Sequence, residues 1–131
     1  NILSIYRANF DRDNEFASSL RDCTKIYLDQ EEIMRNYKNR FRSKIYDLNY
    51  DSLVSNPNKE IQSLISWLDW KWEDSYLSPH LNKRSVLTAS SVQVRSQINF
   101  KSVGGWKNYK DMLQPSIEIL TQTESYRNLL L

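Results

Sequence analysis

The sequence holds one cysteine, one histidine, two glycines and three prolines in 131 residues. A single thiol, Cys23, makes neither an intrachain disulfide nor a thiolate zinc cluster. A reducing, cytoplasmic-type compartment is the expectation. No apolar run approaches the ~20 residues a membrane helix needs, and no signal-peptide pattern opens the chain. The two glycines are adjacent, Gly104-Gly105, so there is no glycine-rich phosphate loop. The lone His80 follows Pro79 in a polar stretch and is expected to face solvent. Nearby acids lack ligand spacing around it, so no metal site is expected. Eighteen Lys and Arg nearly balance sixteen Asp and Glu, for a net charge of +2. No basic block is long enough to serve as a nucleic-acid arm.

Aromatic residues, by contrast, are plentiful: four Trp, eight Tyr and four Phe. Such rings fill a core or stack on flat ligands. Residues 1–9 predict a helix that reads as the interior of an element, which suggests a piece of a larger protein. Residues 11–14 are polar and mark a break. Phe16, Leu20, Cys23, Tyr27, Gln30, Met34, Tyr37 and Phe41 recur at steps of three and four, which predicts a long helix over 16–41 with a continuous buried stripe. Cys23 lies on that stripe and is expected to be buried and inert. Residues 45–50 are β-prone and predict a short strand, which needs partners to form a sheet. Asn56-Pro57 signals a helix start, and the apolar spacing of Ile61, Leu64, Ile65 and Leu68 carries that helix to near Asp69. Residues 73–102 are irregular, a length of loop that is often functional. A short helix is predicted over 108–113 and another from Pro115. Residues 126–131 give no clear pattern.

Four segments stand out in order. The first is Ser4-Ile5-Tyr6-Arg7-Ala8-Asn9-Phe10. The second runs from Leu48-Asn49-Tyr50-Asp51 to Asn56-Pro57, with Trp67-Leu68-Asp69-Trp70 closing the helix that follows. The third is Thr88-Ala89-Ser90, and the fourth runs from Lys101-Ser102-Val103-Gly104-Gly105 to Trp106-Lys107-Asn108-Tyr109. This set resembles the sulfotransferases that use 3′-phosphoadenosine 5′-phosphosulfate (PAPS), most closely the bacterial type often fused to tetratricopeptide repeats. The resemblance implies a parent of α/β class, a P-loop-like sulfotransferase fold with a central parallel sheet. Residues 1–131 would be one truncated domain of it, mostly helical with one or two short strands.

The resemblance also implies roles. Ser4 would donate its hydroxyl to the 3′-phosphate of PAPS or its product PAP (adenosine 3′,5′-bisphosphate). Tyr50 would lie against the adenine, and Thr88 and Ser90 would touch the base. Lys101 or Ser102, beside Gly104, would sit by the 3′-phosphate, with Arg7 and Arg95 as nearby cations. The residue types suit the ligand: phosphate takes charge-assisted donors, a purine takes a flat ring, and glycine admits close approach. The sequence departs from the family in lacking the loop that cradles the 5′-phosphosulfate, the arginine eight residues before Ser4, and the catalytic base. Asp51 replaces a glutamate, and Gly105 an arginine. No residue is therefore assigned a catalytic role, and the isolated chain is expected to be inactive. The acceptor, a hydroxyl or amine, is not specified by these residues.

Two other function classes are compatible with parts of the sequence. A non-catalytic helical interaction module would use the helix at 16–41, and self-association through a face left open by truncation is also expected. Binding of single-stranded nucleic acid is disfavoured by the balanced charge.

Overall fold

The computed structural model describes residues 1–8, 15–86 and 93–130. Five α-helices occur among them: α1 (Ile2–Ala8), α2 (Leu20–Phe41), α3 (Tyr50–Ser55), α4 (Pro57–Trp67) and α5 (Gln114–Leu120). Short 3-10 turns fill much of the rest, including Glu15–Ser18, Gly105–Tyr109 and Glu124–Leu130. The chain divides into two compact units. Unit 1 combines Asn1–Arg42 with Gly104–Leu131, and unit 2 is Ser43–Val103.

In unit 1, α2 starts at a capped end. Ser19 is extended, and its Oγ accepts the Asp22 N–H at 3.2 Å. This satisfies one of the backbone donors left open by a helix start. Ser19 and then Lys25 hold the Asp22 carboxyl below its ordinary pKa, and a carboxylate in the first turn also suits the helix dipole. The core forms where α1 and α5 meet the first half of α2. Ile2, Cys23 and Leu120 are buried together, with Ile5, Tyr6, Phe16, Leu20, Tyr27, Leu28, Tyr126 and Leu129 packed around them. Two buried hydroxyls knit this contact: Thr24 Oγ1 donates to the Leu20 carbonyl at 2.6 Å, and Ser116 Oγ, from α5, to the same carbonyl at 3.3 Å. Buried polar groups are tolerated when they are satisfied in this way.

The stripe on α2 is buried only in part. Cys23 is inaccessible, whereas Ile33, Met34, Tyr37 and Phe41 are 40–53% exposed. Periodicity identifies the helix but not how far its neighbours reach. Among the described residues, the buried cluster gathers α1, α5 and Tyr126 against the first half of α2.

The predicted strand and the central parallel sheet are corrected by the structure. Residues 45–49 carry no regular structure, no strand occurs among the described residues, and Tyr50 begins α3. The physical reason is Asn49. Its side chain accepts the Ser52 N–H at 2.9 Å, a cap that turns the chain into a helix, and an unpartnered strand has no ladder to compete with it.

In unit 2, Val54 of α3 and Ile65 of α4 are buried. The Tyr46 and Trp67 rings meet at 5.4 Å. Pro57 opens α4, as the Asn56-Pro57 pair predicts, though Asn56 makes no side-chain cap bond. The helix ends in a Schellman closure. Asp69 N–H donates to the Ser66 carbonyl at 3.1 Å and Trp70 N–H to Ile65 at 3.0 Å, with Asp69 in the left-handed region at φ 54°. That position usually belongs to glycine. His80 departs from the expected exposure: it is half-buried, and its Nδ1 is enclosed with no hydrogen-bond partner among the described residues. The short helix expected over 108–113 lies earlier, as the 3-10 turn Gly105–Tyr109. Residues 11–14 fall outside the described residues.

Candidate functional site

The residues singled out by sequence fall in both units. In unit 1, Ser4 and Arg7 lie three apart on α1, a spacing that puts them on one helix face, and both are exposed. The Arg7 guanidinium carbon lies over the Tyr109 ring, 5.7 Å from its centre. Tyr109 closes the turn that Gly104 opens at φ 68°. Only glycine adopts that conformation without steric cost. Two separated sequence segments therefore meet: the exposed face of α1 and the Gly104–Tyr109 turn. The ring is uncharged, so the cation–π contact orients the guanidinium and leaves its positive charge intact.

In unit 2, Tyr50 is 53% exposed at the start of α3. Lys101 and Ser102 are exposed in the turn before Gly104, and the Lys101 N–H donates to the Asn99 side chain at 3.2 Å. Arg95 is engaged with backbone. Its Nη1 donates to the Asn82 carbonyl, and its Nη2 to the Arg84 carbonyl at 2.6 Å. Those bonds tie down the 82–84 loop and occupy two of its donors. Thr88 and Ser90 lie outside the described residues.

Two clefts lie elsewhere. One, of about 320 Å³, is lined by Gln62, Ile65, Ser66, Asp69, Trp70 and Trp72 in unit 2. Trp72 is held there by its Nε1 bond to Asp74 at 2.9 Å and by the Tyr76 ring at 6.0 Å. The other, of about 410 Å³, runs along α2 beside Tyr126 in unit 1. Tyr126 shares a 2.9 Å hydroxyl contact with Tyr27 and donates to the Glu31 carboxylate at 3.4 Å. Burial first, and the Tyr27 bond second, push its phenol well above the ordinary range. None of the seven described residues among those singled out by sequence lines either cleft. Among the described residues, no group of His, Cys, Asp and Glu is placed to hold a metal ion, and no helix is long and apolar enough to cross a membrane.

Sequence reasoning missed Tyr109 as the partner of Arg7. It ends a quoted motif, yet nothing in a linear string says that its ring comes to lie under an arginine a hundred residues away.

Residues 1–74 match the family described as "Sulfotransferase family". That span includes α1, the Asn49 cap and α4, and it stops short of residues 88–90 and 101–109. An uncharacterized protein of Aquifex aeolicus (strain VF5) is 37% identical over 107 residues, covering 82% of this chain. The chain spans 14% of that protein's length. No solved structure matches it.

Proposed function

The chain belongs to the Sulfotransferase family, and from that premise we propose that it carries the part of a sulfotransferase domain that grips the adenosine 3′-phosphate end of PAPS. The observation that carries this reading is the meeting of Arg7 with the Gly104–Tyr109 turn. A phosphate dianion there would take the Arg7 guanidinium and the Ser4 hydroxyl as donors, each charge-assisted bond worth about 1.5–3 kcal/mol. Gly104, with no Cβ, allows backbone to approach. By the family resemblance alone, Tyr50 would lie against the adenine, Thr88 and Ser90 would contact the base, and Lys101 or Ser102, with Arg95, would be assigned to the phosphate.

In the whole protein the S–O bond between sulfur and the donor's 5′-phosphate breaks. A new bond forms from sulfur to an acceptor hydroxyl or amine, the acceptor loses its proton, and PAP leaves. Like phosphoryl transfer, such a step is mostly alignment and charge stabilisation. The residues named here hold the donor; none is assigned to activate the acceptor. A parent of the type fused to tetratricopeptide repeats fits a relative far longer than this chain. A reducing, cytoplasmic-type setting fits a lone buried thiol.

Calorimetric titration with PAP, using 5′-AMP as control, tests the reading. PAP is expected to bind and AMP not, and Arg7→Ala is expected to weaken PAP about tenfold or more. Equal affinity for the two nucleotides, or an unchanged Arg7→Ala titration, overturns the 3′-phosphate assignment.

A further inference from the structure

The C-terminal end of α4 carries a cleft that the donor-binding reading leaves unused. It measures about 320 Å³ and lies wholly within unit 2, a size that suits a small molecule. Two indoles and the buried Ile65 supply its apolar surface. Trp70 is 59% exposed, and its N–H is fixed to the Ile65 carbonyl by the helix closure. Trp72 is oriented by its Nε1 bond to Asp74 and by the edge of the Tyr76 ring. A ring already held in place loses little freedom when a ligand arrives.

The charge around the cleft identifies the occupant. Asp69 lines it, and among the described residues this carboxylate has no ion-pair partner. Nor does any described Lys or Arg lie over either indole. The last turn of α4 holds no basic residue, so the negative end of the helix dipole is left without a compensating side chain. Residues 60–76 carry Glu60, Asp69, Glu73 and Asp74 against Lys71 alone, in a chain whose net charge is +2. Lys71 is exposed and does not line the cleft. Indole faces beside an uncompensated carboxylate attract a cation. A bare ammonium is strongly hydrated, whereas an alkylated one presents apolar methyl groups to the rings.

We propose that this cleft binds a small alkylated ammonium, with Trp70 and Trp72 against its methyl groups and the Asp69 carboxylate as counter-charge. Gln62 and Ser66, exposed in the same lining, offer hydrogen bonds to a polar substituent on the ligand. Asp69 is held at φ 54° just past a helix C-terminus, a costly place for a carboxylate, and a bound cation offsets the electrostatic part of that cost. The cleft is open and its contacts stay partly hydrated, so the dissociation constant is on the order of 1 mM. None of these residues is assigned to PAPS, and the inference is independent of the donor-binding proposal.

Titration of the 131-residue chain with choline, followed by the indole N–H signals in a proton–nitrogen NMR spectrum at constant ionic strength, tests it. The neutral control is 3,3-dimethylbutan-1-ol, which has the shape of choline without its charge. Choline should shift the Trp70 and Trp72 signals saturably, and the alcohol should bind about tenfold more weakly or worse. Trp70→Ala should weaken choline about fivefold, and Asp69→Asn about threefold. Asparagine tolerates the left-handed position and Trp70 is exposed, so both variants should keep the dispersed spectrum of the folded chain. Choline that leaves both indoles unmoved overturns the proposal. So does an alcohol that binds equally well, a choline affinity unchanged in Asp69→Asn, or a neutral methyl glucoside that moves the same signals more strongly than choline.

Discussion

Cys23 and Tyr126 show how burial sets side-chain chemistry in this protein. Cys23 is inaccessible, its thiol faces the Phe16 carbonyl at 3.4 Å, and burial pushes its pKa up. The thiolate is the reactive form, so the native chain should resist alkylation by iodoacetamide and react once unfolded in urea, as followed by mass shift. Tyr126 is also raised, chiefly by burial and then by its bond to Tyr27. The sign follows from linkage. In the unfolded chain the phenol ionises near its ordinary value of 10.0, while the folded chain still holds the proton. The unfolded state therefore releases the proton first, and stability falls as pH rises above that value. Urea midpoints measured across alkaline pH should drop in the parent chain, with a shallower drop in Tyr126→Phe.

Helix ends decide the elements here, and they were legible to different degrees. The stop of α4 could be read near Asp69 because the apolar spacing ends there. Its form could not, since a left-handed aspartate looks like any polar residue in a string. Asp69 at φ 54° carries the cost of a Cβ in that region and a negative charge at a helix C-terminus, both unfavourable. Asp69→Gly is expected to stabilise the chain by about 0.5–1 kcal/mol, read as a raised urea midpoint with unchanged slope. The start of α3 differs from the strand that residues 45–50 predict. Ile45, Tyr46 and Tyr50 have strand propensity, but a local cap from Asn49 outweighs propensity when no second strand is present. On α2 the period announced a helix correctly. Which turns are covered depends on α1 and α5, which no local window contains.

At the scale of the molecule, the family could be read from Ser4–Phe10 and the Asn49–Pro57 run, both within the matched residues 1–74. The meeting of Arg7 with Tyr109 could not, because it joins segments that only the fold brings together. With two glycines in the sequence, a glycine-rich 5′-phosphosulfate loop is not expected here. Incubated with radiolabelled PAPS and a panel of hydroxyl and amine acceptors, the chain is expected to give no turnover. Labelled product that co-purifies with the chain and is lost in Arg7→Ala would show that it supplies the chemistry itself.

Unit 1 is assembled from the two ends of the chain, with Ser43–Val103 between them. Its core joins Ile2 and Cys23 to Leu120, Tyr126 and Leu129. This imposes an order on biosynthesis. While the ribosome is still adding the middle of this chain, α1 and the first half of α2 lack the α5 surface on which they pack here, and a long loop must close before that contact forms. Nascent chains halted before α5 has emerged should stay open to protease across residues 1–42, and protection should arrive in one step once Glu124–Leu130 is free of the exit tunnel. A stop codon ahead of Leu120 would therefore cost the N-terminal helices their fold, although it leaves every one of their residues in place.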